Sequence, residues 1–195
     1  GEKASEVVRE IKTGSREALH LSKSNEWYTP KEYVDAARAA MGSIDLDPAS
    51  CEQANETINA STFYTKEDDG FVQAWSGNVW CNPPYGKENG ESNQSRWTKR
   101  VIDAYKSGEC DQAIILVNAM TSATWFRPFW EHTICFVYRR IRFISPNGAQ
   151  NNPTHSNVFV YLGDNVSEFI DQFQKFGRVV VAVPNLEHIS TCTGE

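Results

Sequence analysis

The sequence predicts an α/β fold built on a mostly parallel sheet with an antiparallel hairpin at one edge. Three observations carry this. Short apolar stretches alternate with helical patterns early in the chain, the order that buries a parallel sheet between helices. Ala113 to Val117 is a continuous apolar run (AIILV), as in a strand covered on both faces. Residues 133–162 hold three strand patterns and no helix, which suggests antiparallel pairing at an edge.

Each element follows from its own residues. Residues 2–12 read as a short helix and 13–26 as a polar connection, so residues 1–25 form an N-terminal helix and linker. One domain then occupies 26–195. Thr29-Pro30 starts a helix, because proline suits the first turn; Val34, Ala37 and Met41 share its inner face and Gly42 ends it. A short strand, Ile44 to Asp47, ends in Asp47-Pro48-Ala49-Ser50. A second, Gly77 to Cys81, ends in Asn82-Pro83-Pro84-Tyr85. Residues 92–107 are helical up to Gly108, and 121–131 are helical despite Pro128. Strands are expected over 133–138, 140–144, 157–162 and 178–183, with a helix over 166–176. In open α/β sheets ligands bind beyond the carboxyl ends of the strands. Both polar motifs fall there.

Composition narrows the classes. The chain has 195 residues, 40% hydrophobic and 23% charged, which suits one globular domain and excludes collagen, coiled coil and wholesale disorder. No apolar run approaches the roughly 20 residues of a membrane-spanning helix, and no signal peptide opens the chain. Gly1 in place of Met is what an excised piece would show. The five cysteines, Cys51, Cys81, Cys110, Cys135 and Cys192, are odd in number and include no C-x-x-C pair, so neither a metal site nor a disulfide framework is expected. A reducing, cytoplasmic compartment fits that usage. Net charge is −6, yet it is uneven: −7 over residues 1–95, +4 over 96–142 and −3 over 143–195. The basic middle reads either as a solvated face or as a patch for a polyanion.

Asn82-Pro83-Pro84-Tyr85 carries the sharpest chemistry. Two consecutive prolines fix the backbone and supply no N–H donors. The Pro83 carbonyl and the Asn82 side-chain oxygen are then outward acceptors, and Tyr85 adds a flat π-face. Together they match a planar ring bearing an amino group. Two acceptors holding the amino hydrogens out of plane would localise the nitrogen lone pair for attack, a matter of positioning that needs no covalent intermediate.

The order of motifs resembles the phage-type DNA N-6-adenine methyltransferases, members of the class I S-adenosylmethionine-dependent enzymes. The matching stretches are Glu26 to Pro30, Ile44 to Ser50, Phe63 to Thr65, Asp68 to Phe71, Trp80 to Gly86, Thr121 to Phe126 and Arg139 to Phe143. The resemblance implies a Rossmann-like fold, S-adenosylmethionine as cofactor, double-stranded DNA as partner, and a flipped-out adenine as methyl acceptor. It implies no membrane and no metal. Asn82, Pro83, Pro84 and Tyr85 would hold the adenine. Tyr28, Thr29 and Pro30 would pack beside the cofactor's methionine, with Asp45, Asp47, Pro48, Ala49 and Ser50 on the first strand and its loop. Asp68 or Asp69, then Phe71, would sit by the cofactor's adenine. Lys87, Arg96, Lys99, Arg139, Arg140, Arg142, Asn151, Asn152 and His155 are the candidate DNA contacts, with short or relaxed specificity read by residues 86–96 and 145–157. Departures from the family pattern are the missing Gly-rich loop in Asp47 to Asn55, the short span from Asp47 to Cys81, which abbreviates the middle of the fold, and the want of a clear ribose-binding acid, for which Glu52 is a weak candidate.

Plainer readings stand beside these. Pro83-Pro84 also marks a turn, and Ser50 is a favoured helix N-cap. Asp68-Asp69-Gly70 also reads as a surface turn. Arg139, Arg140 and Arg142, on a strand with Ile141 and Phe143, would meet phosphate or protect a sheet edge. The Asn-rich loop from Ser145 to Asn157 suits base edges and plain turns alike. Trp125, Phe126, Phe129 and Trp130 read as core. Cys81 is not read as a nucleophile, because a cytosine-carbon methyltransferase needs its cysteine after proline. Alternative functions are an inactive nucleic-acid-binding module, or transfer to RNA or protein glutamine.

Overall fold

The structure is a computed structural model and describes residues 27–150 and 154–183. The expected helix over 2–12 and the linker to residue 25 lie outside the described residues, as do Asn151 and Asn152.

Helix α1 (Lys31–Met41) begins directly after Pro30, and Gly42 ends it at φ 84°. Its inner face, including Val34, Ala37 and Met41, is buried. Strand β1 (Leu46–Asp47) is followed by α2 (Glu52–Ile58) and β2 (Thr62–Phe63), then β3 (Asn78–Cys81). A small hairpin, β4 (Lys87–Glu88) and β5 (Glu91–Ser92), leads into α3 (Asn93–Ser107). Then come β6 (Gln112–Asn118), a 3-10 helix (Thr124–Glu131), β7 (Thr133–Val137), β8 (Asn157–Leu162), α4 (Val166–Phe173) and β9 (Gly177–Val180).

Seven strands make one sheet in the order β2-β1-β3-β6-β8-β7-β9. β2, β1, β3 and β6 run parallel, whereas β8 opposes both β6 and β7, and β9 opposes β7. The antiparallel part therefore fills one edge, and the whole has the Rossmann-like class I methyltransferase topology that the resemblance implies. The middle is abbreviated: between β1 and β3 the regular structure is one seven-residue helix and one two-residue strand.

The period of two along each strand divides the core. Trp80, Ile114, Leu116, Phe159 and Tyr161 face α1 and α4. Val79, Cys81, Ala113, Ile115, Val117, Val158 and Val160 face α3 and the 3-10 helix. Phe126 and Phe129 are fully buried in that second layer, as the core reading expects, whereas Trp130 is half-exposed and stacks on Phe136.

Four local expectations are corrected. Residues 124–131 form a 3-10 helix, with Pro128 withholding an N–H that an α-helix would use. Residues 140–144 form no strand. β7 is already paired on both sides by β8 and β9, and the following segment leaves the sheet. Its alternation is real nonetheless: Ile141 and Phe143 are buried while Arg140 and Arg142 are exposed. Ser50 is not the cap of α2; Cys51 is, its Sγ accepting from the Ala54 N–H at 3.5 Å. The last helix ends at Phe173, not 176. Among the described residues no helix is long and apolar enough to cross a membrane.

Candidate active site

β1 and β3 lie side by side and parallel, so the loops after Asp47 and Cys81 leave the same edge of the sheet. Between and around them opens a cavity of about 670 Å³, within the roughly 300–1,000 Å³ of small-molecule and cofactor sites. The loop after β1 is held by backbone bonds from Tyr64 N to the Asp47 carbonyl (3.0 Å) and from Ser50 N to the Tyr64 carbonyl (2.9 Å). Its close neighbour is Gly70. A Cβ there would stand 2.0 Å from the Pro48 carbonyl oxygen. Gly70→Ala is accordingly expected to push this loop aside and destabilise the protein by about 1–3 kcal/mol, read as a lower urea midpoint.

The opposite wall starts at Trp27. Tyr28 pairs with Ile144 through two backbone bonds of 2.7 and 3.0 Å. The Asn82 Nδ2 donates to the Trp27 carbonyl and to Thr29 Oγ1, both at 3.3 Å. With its donors so engaged, the Asn82 amide keeps its oxygen as an acceptor, and the residue lines the cavity. Pro83 is buried, Pro84 exposed, and the Tyr85 ring meets Phe143 edge-on at 6.1 Å and 83°. Arg100 fixes the third wall. It donates to the Phe71 and Gln73 carbonyls at 3.1 and 3.0 Å, pairs with Glu109 at 2.7 Å and stacks over Trp75.

The electrostatics are set by burial. Asp47 is 1% exposed, and burial pushes its carboxyl up from the ordinary 3.8 to about 7. The Ala49 N–H, at 3.1 Å, opposes this. Ser50 also tempers it without reaching hydrogen-bond geometry, and its buried Oγ has no hydrogen-bond partner. Burial and the neighbouring Asp47 push the Cys81 thiol up, so it stays protonated and inert. Burial pushes the Tyr85 phenol to about 12, so it stays neutral.

The structure brings together Tyr28, Thr29, Asp47, Pro48, Ala49 and Ser50 on the cavity wall. Asp69, Phe71, Asn82, Pro83, Pro84, Tyr85 and Lys87 join them there. Pro30 caps α1 behind this segment and does not line the cavity. Asp45 is a correction. It sits at the amino end of β1, accepting from Ser43 Oγ (2.9 Å) and Asn78 N (2.8 Å), away from the cavity. Asp68 is another: it caps the turn at Thr65, accepting from its N–H and hydroxyl. Glu52 is exposed and outside the cavity.

The expected polyanion contacts divide. Arg96 pairs with Glu88 and stacks over Phe71 at 4.5 Å, its side chain only 17% exposed. Lys99 pairs with Asp103 along α3. Arg139, Arg140 and Arg142 are exposed on the segment whose Phe143 abuts Tyr85. His155 is exposed and bonds Thr154. Sequence reasoning missed Cys51, Lys66 and Trp97, which also line the cavity, as do Glu88 and Asn93, expected only as part of the stretch 86–96 that would read bases. For Asn93 and Trp97 a signal existed: both lie on the helix that follows the NPPY loop. Among the described residues no three His, Cys, Asp or Glu side chains gather as a metal site.

Comparison with known proteins bears on what this cavity serves. A family model described as DNA N-6-adenine-methyltransferase (Dam) matches residues 17–182. A DNA N-6-adenine-methyltransferase of Escherichia phage T1 is 30% identical over 102 residues, which cover 51% of this chain and 38% of that relative. No solved structure matches.

Proposed function

From the premise that the chain belongs to the DNA N-6-adenine-methyltransferase family, we propose that it methylates the N6 amino group of adenine in DNA, using S-adenosylmethionine. The observation that carries this reading is the placement of Asn82, Pro83 and Tyr85 on one wall of a cavity whose other walls suit that cofactor.

Among the described residues Asp47 is a buried acid with no ion pair, suited to a cationic ligand, and Ser50 Oγ is a buried hydroxyl without a partner. Tyr28, Thr29, Pro48, Ala49 and Ser50 would hold the methionine end of the cofactor. Asp69 and Phe71 would meet its adenosine end. When bound there, S-adenosylmethionine supplies an electrophilic methyl on its sulfonium.

The chain's own residues do the rest. The Asn82 oxygen and the Pro83 carbonyl accept the two hydrogens of the adenine amino group, and the Tyr85 ring stacks on the base. The target nucleotide has to leave the duplex to reach them. After transfer the cationic amine is acidic enough to lose its proton without a dedicated strong base. Arg139, Arg140, Arg142, Lys87, Lys99 and His155 meet phosphate along the rim. The hairpin of β4 and β5, turning at Asn89 (φ 51°) and Gly90 (φ 83°), stands within the stretch 86–96 that would read bases.

Incubation with S-adenosylmethionine and unmethylated DNA, digestion to nucleosides and mass spectrometry test this. The expected product is N6-methyladenine. Methylated RNA or protein with no modified DNA would overturn the acceptor. No product together with no cofactor binding would favour the inactive module.

A further inference from the structure

The small hairpin that follows the NPPY motif cannot stand on its own residues. β4 and β5 are two residues each, joined by the turn Asn89-Gly90 with φ of 51° and 83°. Asparagine-glycine suits such a turn and fixes the register, but a lone two-stranded hairpin is marginal in water. The register also sets Glu88 directly opposite Glu91, and like charges across a strand pair repel. Residues 86–91 are all exposed, so no core packing offsets this.

The first turn of α3 supplies what is missing. Ser95 Oγ donates to Glu91 Oε1 at 2.8 Å, and Arg96 Nη1 pairs with Glu88. Each of the two facing carboxylates thus has its own partner on the helix. Arg96 Nη1 also donates to Asn93 Oδ1 at 3.4 Å, and the Asn93 N–H holds the Gly86 carbonyl at 3.0 Å. The guanidinium lies over the Phe71 ring at 4.5 Å, and the Arg96 side chain is only 17% exposed. Phe71, Lys87 and Glu88 all line the cavity. Arg96 therefore joins the hairpin to the cavity wall and has little surface left for a phosphate. Resting on the function proposed above, we infer that Arg96 is a positioning residue for DNA recognition: through Glu88 it holds the β4–β5 hairpin beside the acceptor pocket, where the hairpin reads bases. It does not itself bind phosphate.

Steady-state methylation and salt-dependent binding of a duplex that wild type methylates test this, with Arg96→Met, Glu88→Ala and the double variant. Methionine keeps a side chain over Phe71 and removes the charge. Each single variant is expected to lose about threefold to fivefold in kcat/KM for DNA, the worth of a partly exposed pair, with the KM for S-adenosylmethionine unchanged. The double variant is expected to be no slower than the slower single one, because both remove one contact. The slope of log affinity against log salt is expected to keep its wild-type value in Arg96→Met, whereas loss of a phosphate contact would reduce it by about one. Glu88→Ala tests the sign: if the pair held nothing, removing a negative charge beside DNA would tighten binding and spare turnover. A reduced salt slope in Arg96→Met, undiminished turnover in Glu88→Ala, or losses that multiply would overturn the inference. A second readout needs no DNA. In protein carrying nitrogen-15 glycine, the Gly90 amide is identified by its loss in Gly90→Asn. Its heteronuclear Overhauser effect is expected to fall in Arg96→Met, while that of Gly108, beyond the far end of α3, stays. An unchanged Gly90 would overturn the assignment. Should wild type methylate no DNA, the proposed function falls, and Gly90 still decides whether Arg96 holds the hairpin.

Discussion

Asn82→Ala is expected to remove methyl transfer almost completely while the protein still folds. Asn82 is half-buried at the cavity wall, outside both core layers. Its Nδ2 bonds to Trp27 and Thr29 are worth about 1 kcal/mol each, small against a domain's roughly 5–15 kcal/mol. On the proposed function the catalytic loss is larger, because the same amide would present the acceptor oxygen on which lone-pair localisation depends. Removing one preorganised polar group at a developing charge costs about 10²–10³ in rate. The checks are N6-methyladenine yield with time and an unchanged circular dichroism melt. A variant that keeps more than about a tenth of the wild-type rate would sink the role given to Asn82.

The second large effect concerns Asp47 and pH. Its folded pKa of about 7 stands above the ordinary 3.8, so folding favours the protonated carboxyl. Stability from this group is greatest below about pH 4, declines as pH rises toward 7, and is level above that. Asp47→Asn keeps the volume and an acceptor for the Ala49 N–H but has no charge to bury. The variant is expected to lose this slope and, at pH 8, to exceed wild type by on the order of a few kcal/mol. Urea unfolding at pH 5 and pH 8 reads the difference; a variant with the wild-type slope, or one less stable at pH 8, would contradict the account. A cation lodged beside Asp47 would favour its ionised form, so binding of the proposed cofactor there would be linked to loss of this proton.

Much of the fold was legible because its signals are local. Pro30 and Gly42 bracket α1, and Ala113 to Val117 has the unbroken apolar run of a strand buried on both faces. The two loops at the carboxyl ends of β1 and β3 were found from residue type alone, since Pro48, Pro83 and Pro84 stop strands. What failed depended on neighbours distant in the chain. Arg139 to Phe143 has strand alternation, but no sheet edge is left for it beside β7. Asp45 and Asp47 are indistinguishable as letters, yet two residues along β1 separate the amino end of the sheet from the cavity. The absent Gly-rich loop was a concern in the sequence. In the structure the close backbone approach is made from the other side, by Gly70 against Pro48, which no local pattern marks.

The bonds that draw Trp27 to Thr29 across to Asn82 and Ile144 have a consequence for how the protein comes into being. Asn82 reaches back 55 residues to Trp27, and Gln53 reaches forward 93 to Pro146. Loops of that length have to be closed before such contacts repay their entropy. The parallel strands β1, β2 and β3 can pair early, but the cavity acquires its full wall only when residues near 144 have docked. A ribosome still synthesising the second half of the chain therefore carries a sheet without a site, and competence arrives late.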